Sequence, residues 1–92
     1  MAVSDVVVVS GASGLHARPA ARLVELSKTF ESEVSIARGD KVANGKSLIA
    51  VLRLGVTGGD QVRVTTAGAD ESEALRSVLE LLADSDGAES NP

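Results

Sequence analysis

Four short segments of the chain have the composition and spacing of β-strands. Val6 to Val9 is a β-branched run that stops at the loop-forming residues Ser10 to Gly14. Further along, Gln61 to Thr66 alternates polar and apolar residues with the two-residue period of a half-buried strand. The turn residues Gly39-Asp40 separate two more such segments and predict a hairpin. We therefore expect strands at 6–9, 33–37, 41–43 and 61–66.

A first helix is predicted from Ala17 to about Thr29. Small and apolar residues recur there at helical spacing, at positions Ala20, Leu23, Val24 and Ser27. Pro19 favours a helix start near His16, because proline is tolerated in the first turn, where its missing N–H has no intrahelical partner.

Two further helices carry capping signals. Ser47 is a candidate N-cap for a two-turn helix over 48–54, and Gly55 is a candidate stop. Asp70 with Glu73 resembles a capping box at the start of the last helix. That helix ends near Ala83 and has an apolar stripe at Leu75, Val78, Leu79 and Leu82.

The element order is therefore β-α-β-β-α-β-α. Strands with one apolar face and helices with one apolar stripe close most simply as two layers. We expect an α+β fold in which a four-stranded antiparallel sheet carries three helices on one face. The chain has 92 residues, which fits one domain at 1–83 followed by a mobile acidic tail at 84–92.

Composition and charge narrow the function classes. The chain has no Cys, which excludes thiolate metal sites, and it has a single aromatic residue and a net charge of −4, which argue against nucleic acid. Its apolar runs are too short to cross a bilayer and no secretory signal is visible, so we expect a cytoplasmic protein that does not bind membranes. Residues 1–69 hold eight basic and six acidic side chains, whereas residues 70–92 hold one and seven.

The residues around His16 are suited to binding an anion. His16 is the only histidine and lies where the first helix begins. The unpaired backbone amides there, including that of Ala17, favour negative charge, and the guanidinium of Arg18 suits phosphate oxygens. The same positive field keeps an imidazole nitrogen unprotonated and nucleophilic. His16 could therefore accept a phosphoryl group, although these residues alone also allow a surface or capping histidine beside a solvated arginine.

The motif Gly14-Leu15-His16-Ala17-Arg18-Pro19-Ala20 is followed later by Lys46-Ser47-Leu48-Ile49-Ala50-Val51-Leu52 and Leu54-Gly55. Together these segments resemble HPr, the histidine-containing phosphocarrier family of the phosphoenolpyruvate-dependent sugar phosphotransferase system. The resemblance covers roughly residues 3–83. The open-faced β-sandwich of that family has the element order predicted above.

The resemblance implies a site and partners. His16 would be phosphorylated at Nδ1 by phosphorylated enzyme I, with Arg18 and the backbone amide of Ala17 stabilising the phosphate. The phosphoryl group would then pass to a sugar-specific enzyme IIA during sugar uptake. Such a protein is a carrier rather than an enzyme, needs no cofactor or metal, and is expected to be a monomer.

The same resemblance assigns a regulatory residue and a partner surface. Ser47 matches the serine that an HPr kinase phosphorylates in some bacteria, a role compatible with an N-cap. Arg53 departs from the small or polar residue of many family members and could alter partner choice. The expected contact surface consists of Leu15, Arg18, Leu48, Ile49, Leu52 and Arg53.

Other functions remain open on the residues. A carrier or regulator in a nitrogen-related or dihydroxyacetone kinase relay would act through the same His16 or through Ser47. A regulator of this fold that relays no phosphate would use Ser47 alone. An RNA-binding or metal-binding module and a stand-alone catalyst fit poorly, because the chain has one aromatic residue, one histidine and no evident second base.

Overall fold

The computed structural model describes residues 2–10 and 17–83 of the chain. Within these residues one sheet and three helices follow the order β-α-β-β-α-β-α that the sequence predicts. The strands are β1 (Ala2–Val8), β2 (Glu33–Arg38), β3 (Lys41–Asn44) and β4 (Gln61–Ala67). The helices are α1 (Ala17–Lys28), α2 (Leu48–Arg53) and α3 (Glu71–Ala83).

Neighbouring strands of the sheet are all antiparallel, in the spatial order β1-β4-β2-β3. β2 and β3 form the predicted hairpin, in which Ala37 pairs with Val42. Gly39 turns the chain with a φ of 62°, a conformation that glycine adopts without steric cost. β4 lies between β1 and β2, so the centre of the sheet joins segments that are distant in sequence.

Helices cover one face of the sheet and leave the other open. The covered face buries apolar side chains of β2 and β4, namely Val34, Ile36, Val62 and Val64. α3 packs against β1 and β4, and α1 contacts both α3 and α2. The uncovered face exposes Val6, Val8 and Val42. The expected two-layer, open-faced architecture is therefore confirmed.

The amphipathic pattern of α1 explains how this helix is held. Its buried residues are Pro19, Ala20, Leu23, Val24 and Ser27, which include every predicted stripe position. Lys28, in the last turn, places a positive charge at the negative end of the helix dipole. The following turn is closed by Thr29, whose Oγ1 donates a 2.6 Å hydrogen bond to the carbonyl of Leu26.

β1 differs from the predicted strand at both ends. It begins at Ala2 instead of Val6, because residues with little local strand preference pair along β4, with Ala2 opposite Ala67. It ends before Val9, whose N–H donates to the carbonyl of Asp60 at 2.9 Å and whose carbonyl accepts from Gly59 at 2.8 Å. Strand pairing and turn hydrogen bonds therefore override the local β-branched run.

The capping box predicted for α3 is wrong. The carboxylate of Asp70 accepts hydrogen bonds from the Glu31 amide (3.0 Å) and from the amide and hydroxyl of Ser32 (2.9 and 2.6 Å). Glu71, rather than Glu73, turns back and accepts a 3.0 Å bond from the Gly68 amide. Asp70 thus ties the start of α3 to the connection between α1 and β2.

The stripe of α3 is also slightly rotated from the prediction. Val78 and Leu82 are fully buried as expected, and Ala74 joins them one turn earlier. Leu75 and Leu79 pack against the core from its edge and remain partly exposed.

Candidate functional site

The candidate site is built at the start of α1. The structure begins the helix at Ala17 and leaves Ala17 and Arg18 exposed. Pro19 is its third residue, where the missing N–H costs no intrahelical hydrogen bond. The predicted site residues His16 and Leu15 lie outside the described residues. The expected roles of these two residues therefore stay predictions.

The first turn of α1 is anchored from its buried side. Pro19 and Ala20 are buried, whereas Arg18 is exposed and forms no ion pair with another described residue. No carboxylate of the described residues competes for its guanidinium, which suits anion binding near the positive end of the helix dipole. This arrangement can hold a phosphate at the surface without enclosing it.

Ser47 caps α2 as predicted. Its backbone is extended, with φ −117° and ψ 112°, and its Oγ accepts a 3.3 Å hydrogen bond from the amide of Ala50. The carbonyl of Ser47 accepts from the amide of Val51 at 3.0 Å. At the other end, Gly55 has a φ of 66° and donates to the carbonyl of Leu52 at 3.3 Å, which confirms the predicted stop.

The segment before Ser47 is held by contacts that the sequence did not predict. The ammonium of Lys46 donates a 2.9 Å hydrogen bond to the carbonyl of Phe30, just beyond α1. The Lys46 amide donates to Oδ1 of Asn44 at 2.9 Å. Because Lys46 and Phe30 are far apart in sequence, no local pattern could have indicated this link, which fixes the start of α2 beside the end of α1.

α2 exposes much of its apolar surface. Leu48, Ile49 and Leu52 have exposed fractions of 38%, 60% and 37%, whereas Val51 is fully buried. A helix of six residues thus leaves three of its large apolar side chains partly exposed to solvent. The exposed residues and the neighbouring exposed Arg53 form a surface that we call the α2 patch: Leu48, Ile49, Leu52 and Arg53.

Part of the predicted surface lies on two helices that contact each other. α1, which carries Arg18, contacts α2, which carries the α2 patch. The two helices therefore present the basic residue and the apolar patch as parts of one layer, on the side of the sheet opposite its open face.

A polar network centred on Asp60 lies beyond the C-terminal end of α2. The carboxylate of Asp60 accepts from the amide and hydroxyl of Thr57, at 2.9 and 3.0 Å, and from Nε of Arg38 at 3.0 Å. These hydrogen bonds lower the pKa of Asp60 below its ordinary value, and the two bonds from Thr57 have the largest effect. Arg38 also donates to the carbonyl of Leu54 at 3.2 Å. The network joins the end of α2 to the turn that holds Val9.

Two further features concern residues 2–10 and 17–83 of the chain. In this part of the chain no three acidic or metal-ligating side chains are grouped so that they could hold a metal ion. None of the helices described here is long and apolar enough to cross a membrane.

Comparison with known proteins identifies related sequences. The family model described as the PTS HPr component phosphorylation site matches residues 3–84. The multiphosphoryl transfer proteins of Escherichia coli O157:H7 and Salmonella typhimurium are each 42% identical to the chain over 79 residues, covering 83% of it. The chain corresponds to 21% of the length of each of these larger proteins.

Several solved structures share this fold and are about one-third identical to the chain in sequence. The phosphocarrier protein HPr of Bacillus anthracis is 33% identical, with a TM-score of 0.85 over 88% of this chain and 96% of that one. An HPr protein of Thermoanaerobacter tengcongensis is 32% identical, with a TM-score of 0.87 over 92% and 96%. Bacillus subtilis Crh, described as a swapped dimer, is 33% identical, with a TM-score of 0.71 over 85% and 88%.

Proposed function

Because the chain belongs to the HPr family of the phosphotransferase system, we propose that it carries a phosphoryl group on His16 between phosphorylated enzyme I and an enzyme IIA. The observation that supports this role most directly is the exposed start of α1, where Arg18 has no ion-pair partner among the described residues. A site of this kind suits a group that must be received and released quickly.

Transfer between two histidines requires little covalent work from the carrier. The Nδ1 lone pair of His16 attacks the phosphorus, the P–N bond to the donor histidine breaks, and the donor nitrogen keeps that electron pair. The negative charge on the moving phosphoryl oxygens is stabilised by the guanidinium of Arg18 and by the amide of Ala17. Because the site binds the phosphoryl group about equally well before and after transfer, the phosphohistidine stays reactive and is not trapped.

The α2 patch is the surface we assign to protein partners, together with Leu15 and Arg18. Exposed apolar residues on a short helix, next to cations that form no ion pair with any described residue, fit a transient interface with acidic proteins. Rapid exchange of partners is favoured by electrostatic attraction, because it raises the association rate more than the lifetime of the complex.

Ser47 is the residue we propose for regulation. Its hydroxyl already lies at the start of α2 as an N-cap, so a phosphate there would be compatible with the positive end of that helix. The added charge would lie beside the α2 patch and would weaken docking of acidic partners. A kinase acting on Ser47 would thus control transfer without unfolding the site.

A second candidate uses the same site in a different relay. Among the curated relatives are multiphosphoryl transfer proteins that are much longer than this chain, so the matching segment is one part of each. A carrier serving such a relay, or a nitrogen-related or dihydroxyacetone kinase branch, would differ only in its partners. We propose the cytoplasm as its compartment and the monomer as its working state, which light scattering can test against the swapped dimer described for Crh.

The test follows phosphate from labelled phosphoenolpyruvate, through active enzyme I, to this protein and to its His16→Ala variant. We expect acid-labile label on the wild type and none on the variant. Absence of label on the wild type, with the same enzyme I active on another HPr, would contradict the proposal. Acid-stable label on both proteins would instead direct attention to Ser47.

A further inference from the structure

A shallow groove of about 580 Å³ lies between β3 and α2. Its lining consists of Lys41, Val42, Ala50, Arg53 and Leu54. The groove runs along the edge of the sheet, since β3 is the last strand in the order β1-β4-β2-β3. We call it the β3–α2 groove.

The groove combines an apolar floor with two cationic walls. Leu54 is 2% exposed and closes the bottom, whereas Val42 is 69% exposed, an unusual position for a branched apolar side chain. Lys41 and Arg53 are both exposed, and neither forms an ion pair with a residue that the structure describes. The groove lining contains no acidic residue.

The groove is continuous with the α2 patch. Arg53 belongs to both, because it follows Leu52 at the end of α2 and also faces β3. A protein that covers the patch therefore meets the groove at its border. The edge of β3 adds backbone groups without a strand partner, to which an extended segment can bind.

We propose that the β3–α2 groove binds an acidic segment of the phosphoryl donor, enzyme I, which places carboxylates against Lys41 and Arg53 and lies along the exposed edge of β3 beside Val42. This inference rests on the proposed function. The donor is the occupant because phosphoryl acceptance is common to each relay considered above, whereas the acceptor differs among them. Charge complementarity with the two cations, neither of which forms an ion pair with a described residue, favours an acidic occupant.

The position of the groove defines which kinetic parameter it affects. Lys41 and Arg53 lie in the partner interface instead of at the reacting phosphoryl group, so they affect binding of the donor more than the chemical step. Their ion pairs are exposed to solvent and are screened by salt. We therefore expect the groove to lower the KM for the donor, most strongly at low ionic strength.

The experiment measures steady-state phosphorylation by enzyme I and phosphoenolpyruvate for the wild type and the double variant Lys41→Glu/Arg53→Glu. The matched control is Arg63→Glu/Arg76→Glu, which changes net charge equally at exposed sites on β4 and α3, outside the groove. Circular dichroism and thermal unfolding verify that both variants are folded. The KM of the groove variant should rise by about tenfold with kcat unchanged, and less so at high salt.

The outcomes separate the inference from the function on which it rests. A raised KM in the groove variant and also in the single variant Lys41→Glu, with the control close to wild type, supports the groove, because Lys41 lies outside the α2 patch. A KM that rises only when Arg53 is changed would overturn it. Equal KM values for the two variants would overturn it and leave phosphoryl transfer intact, since both proteins would still accept phosphate. If the wild type accepts no phosphate from an enzyme I that is active on another HPr, the proposed function fails and the groove as a donor site fails with it.

Discussion

Arg18 is the described residue on which the proposed chemistry depends most. It is exposed at the first turn of α1, with no competing ion pair from the described residues, and its planar guanidinium can contact two phosphate oxygens at once. A lysine keeps the charge but loses that geometry. The contribution of Arg18 is therefore separable into charge and shape.

Replacing Arg18 by Ala should lower kcat/KM for phosphoryl acceptance by about a hundredfold, because one stabilising donor is lost at the developing charge. Replacing Arg18 by Lys should lower kcat/KM by about tenfold, because lysine keeps the charge but not the planar geometry of the guanidinium. Rapid-quench phosphorylation by enzyme I measures both. Arg63→Ala, on the open face of the sheet, serves as the control. Equal rates for Arg18→Ala and wild type would exclude Arg18 from the reaction.

At the scale of the elements, α2 joins stability to partner binding. Only six residues long, it is held by the Ser47 cap, by buried Val51 and by the turn at Gly55. Its remaining apolar residues face solvent, which costs stability but leaves them available to partners. Changes at Ser47 can therefore act on the fold of this helix and on docking in distinguishable ways.

Ser47→Ala should lower the free energy of unfolding by about 1 kcal/mol, because the amide of Ala50 loses its capping acceptor. Ser47→Asp keeps a capping oxygen and should retain that stability. Its added charge should nevertheless slow phosphorylation by enzyme I severalfold. Urea unfolding and phosphorylation kinetics, measured on both variants, test the two effects. A destabilised but normally phosphorylated Ser47→Asp protein would contradict this assignment.

At the scale of the whole molecule, a carboxylate joins two distant connections. Asp70, before α3, accepts three hydrogen bonds from Glu31 and Ser32, between α1 and β2. These hydrogen bonds hold the pKa of Asp70 below its ordinary value, although desolvation acts in the opposite direction. The bond from the Ser32 hydroxyl has the largest effect and the bond from the Glu31 amide the next largest. The folded state therefore binds a proton at Asp70 less readily than the unfolded chain.

This lowered pKa predicts how stability depends on pH. The contribution of Asp70 is complete above the unfolded pKa, about 4, and is lost as the pH falls through the lower folded pKa. Asp70→Asn should thus be less stable than wild type at pH 7, and the difference should narrow in acid. Thermal unfolding from pH 7 to pH 2.5, on the order of ten steps, measures this trend.

The matched control is Glu80→Gln, on the exposed side of α3, whose carboxylate accepts no hydrogen bond from the described residues. The stability of Glu80→Gln should follow that of the wild type across the pH range more closely than the stability of Asp70→Asn does. A stability difference for Asp70→Asn that stays constant across the pH range would show that the three hydrogen bonds do not depend on the charge of Asp70.

Local patterns along the chain were sufficient to predict the elements and their order. Hydrophobic periodicity, a β-branched run, and turn and capping residues together located all seven elements, because each of these signals is local. The caps at Ser47 and Gly55, for example, involve only nearby backbone groups. The motif around His16 and Arg18 indicated the family, which the family model confirmed. The exposed surplus of apolar residues on α2 was also predictable from its short length.

Contacts between segments that are distant in sequence could be found only from the folded structure. Pairing along β4 extended β1 back to Ala2, and the carboxylate of Asp70 reached Ser32 in place of its own helix. The link from Lys46 to Phe30 and the groove between β3 and α2 likewise join residues that no local pattern relates. A one-dimensional pattern records which side chains are apolar or charged, but packing determines which of them meet.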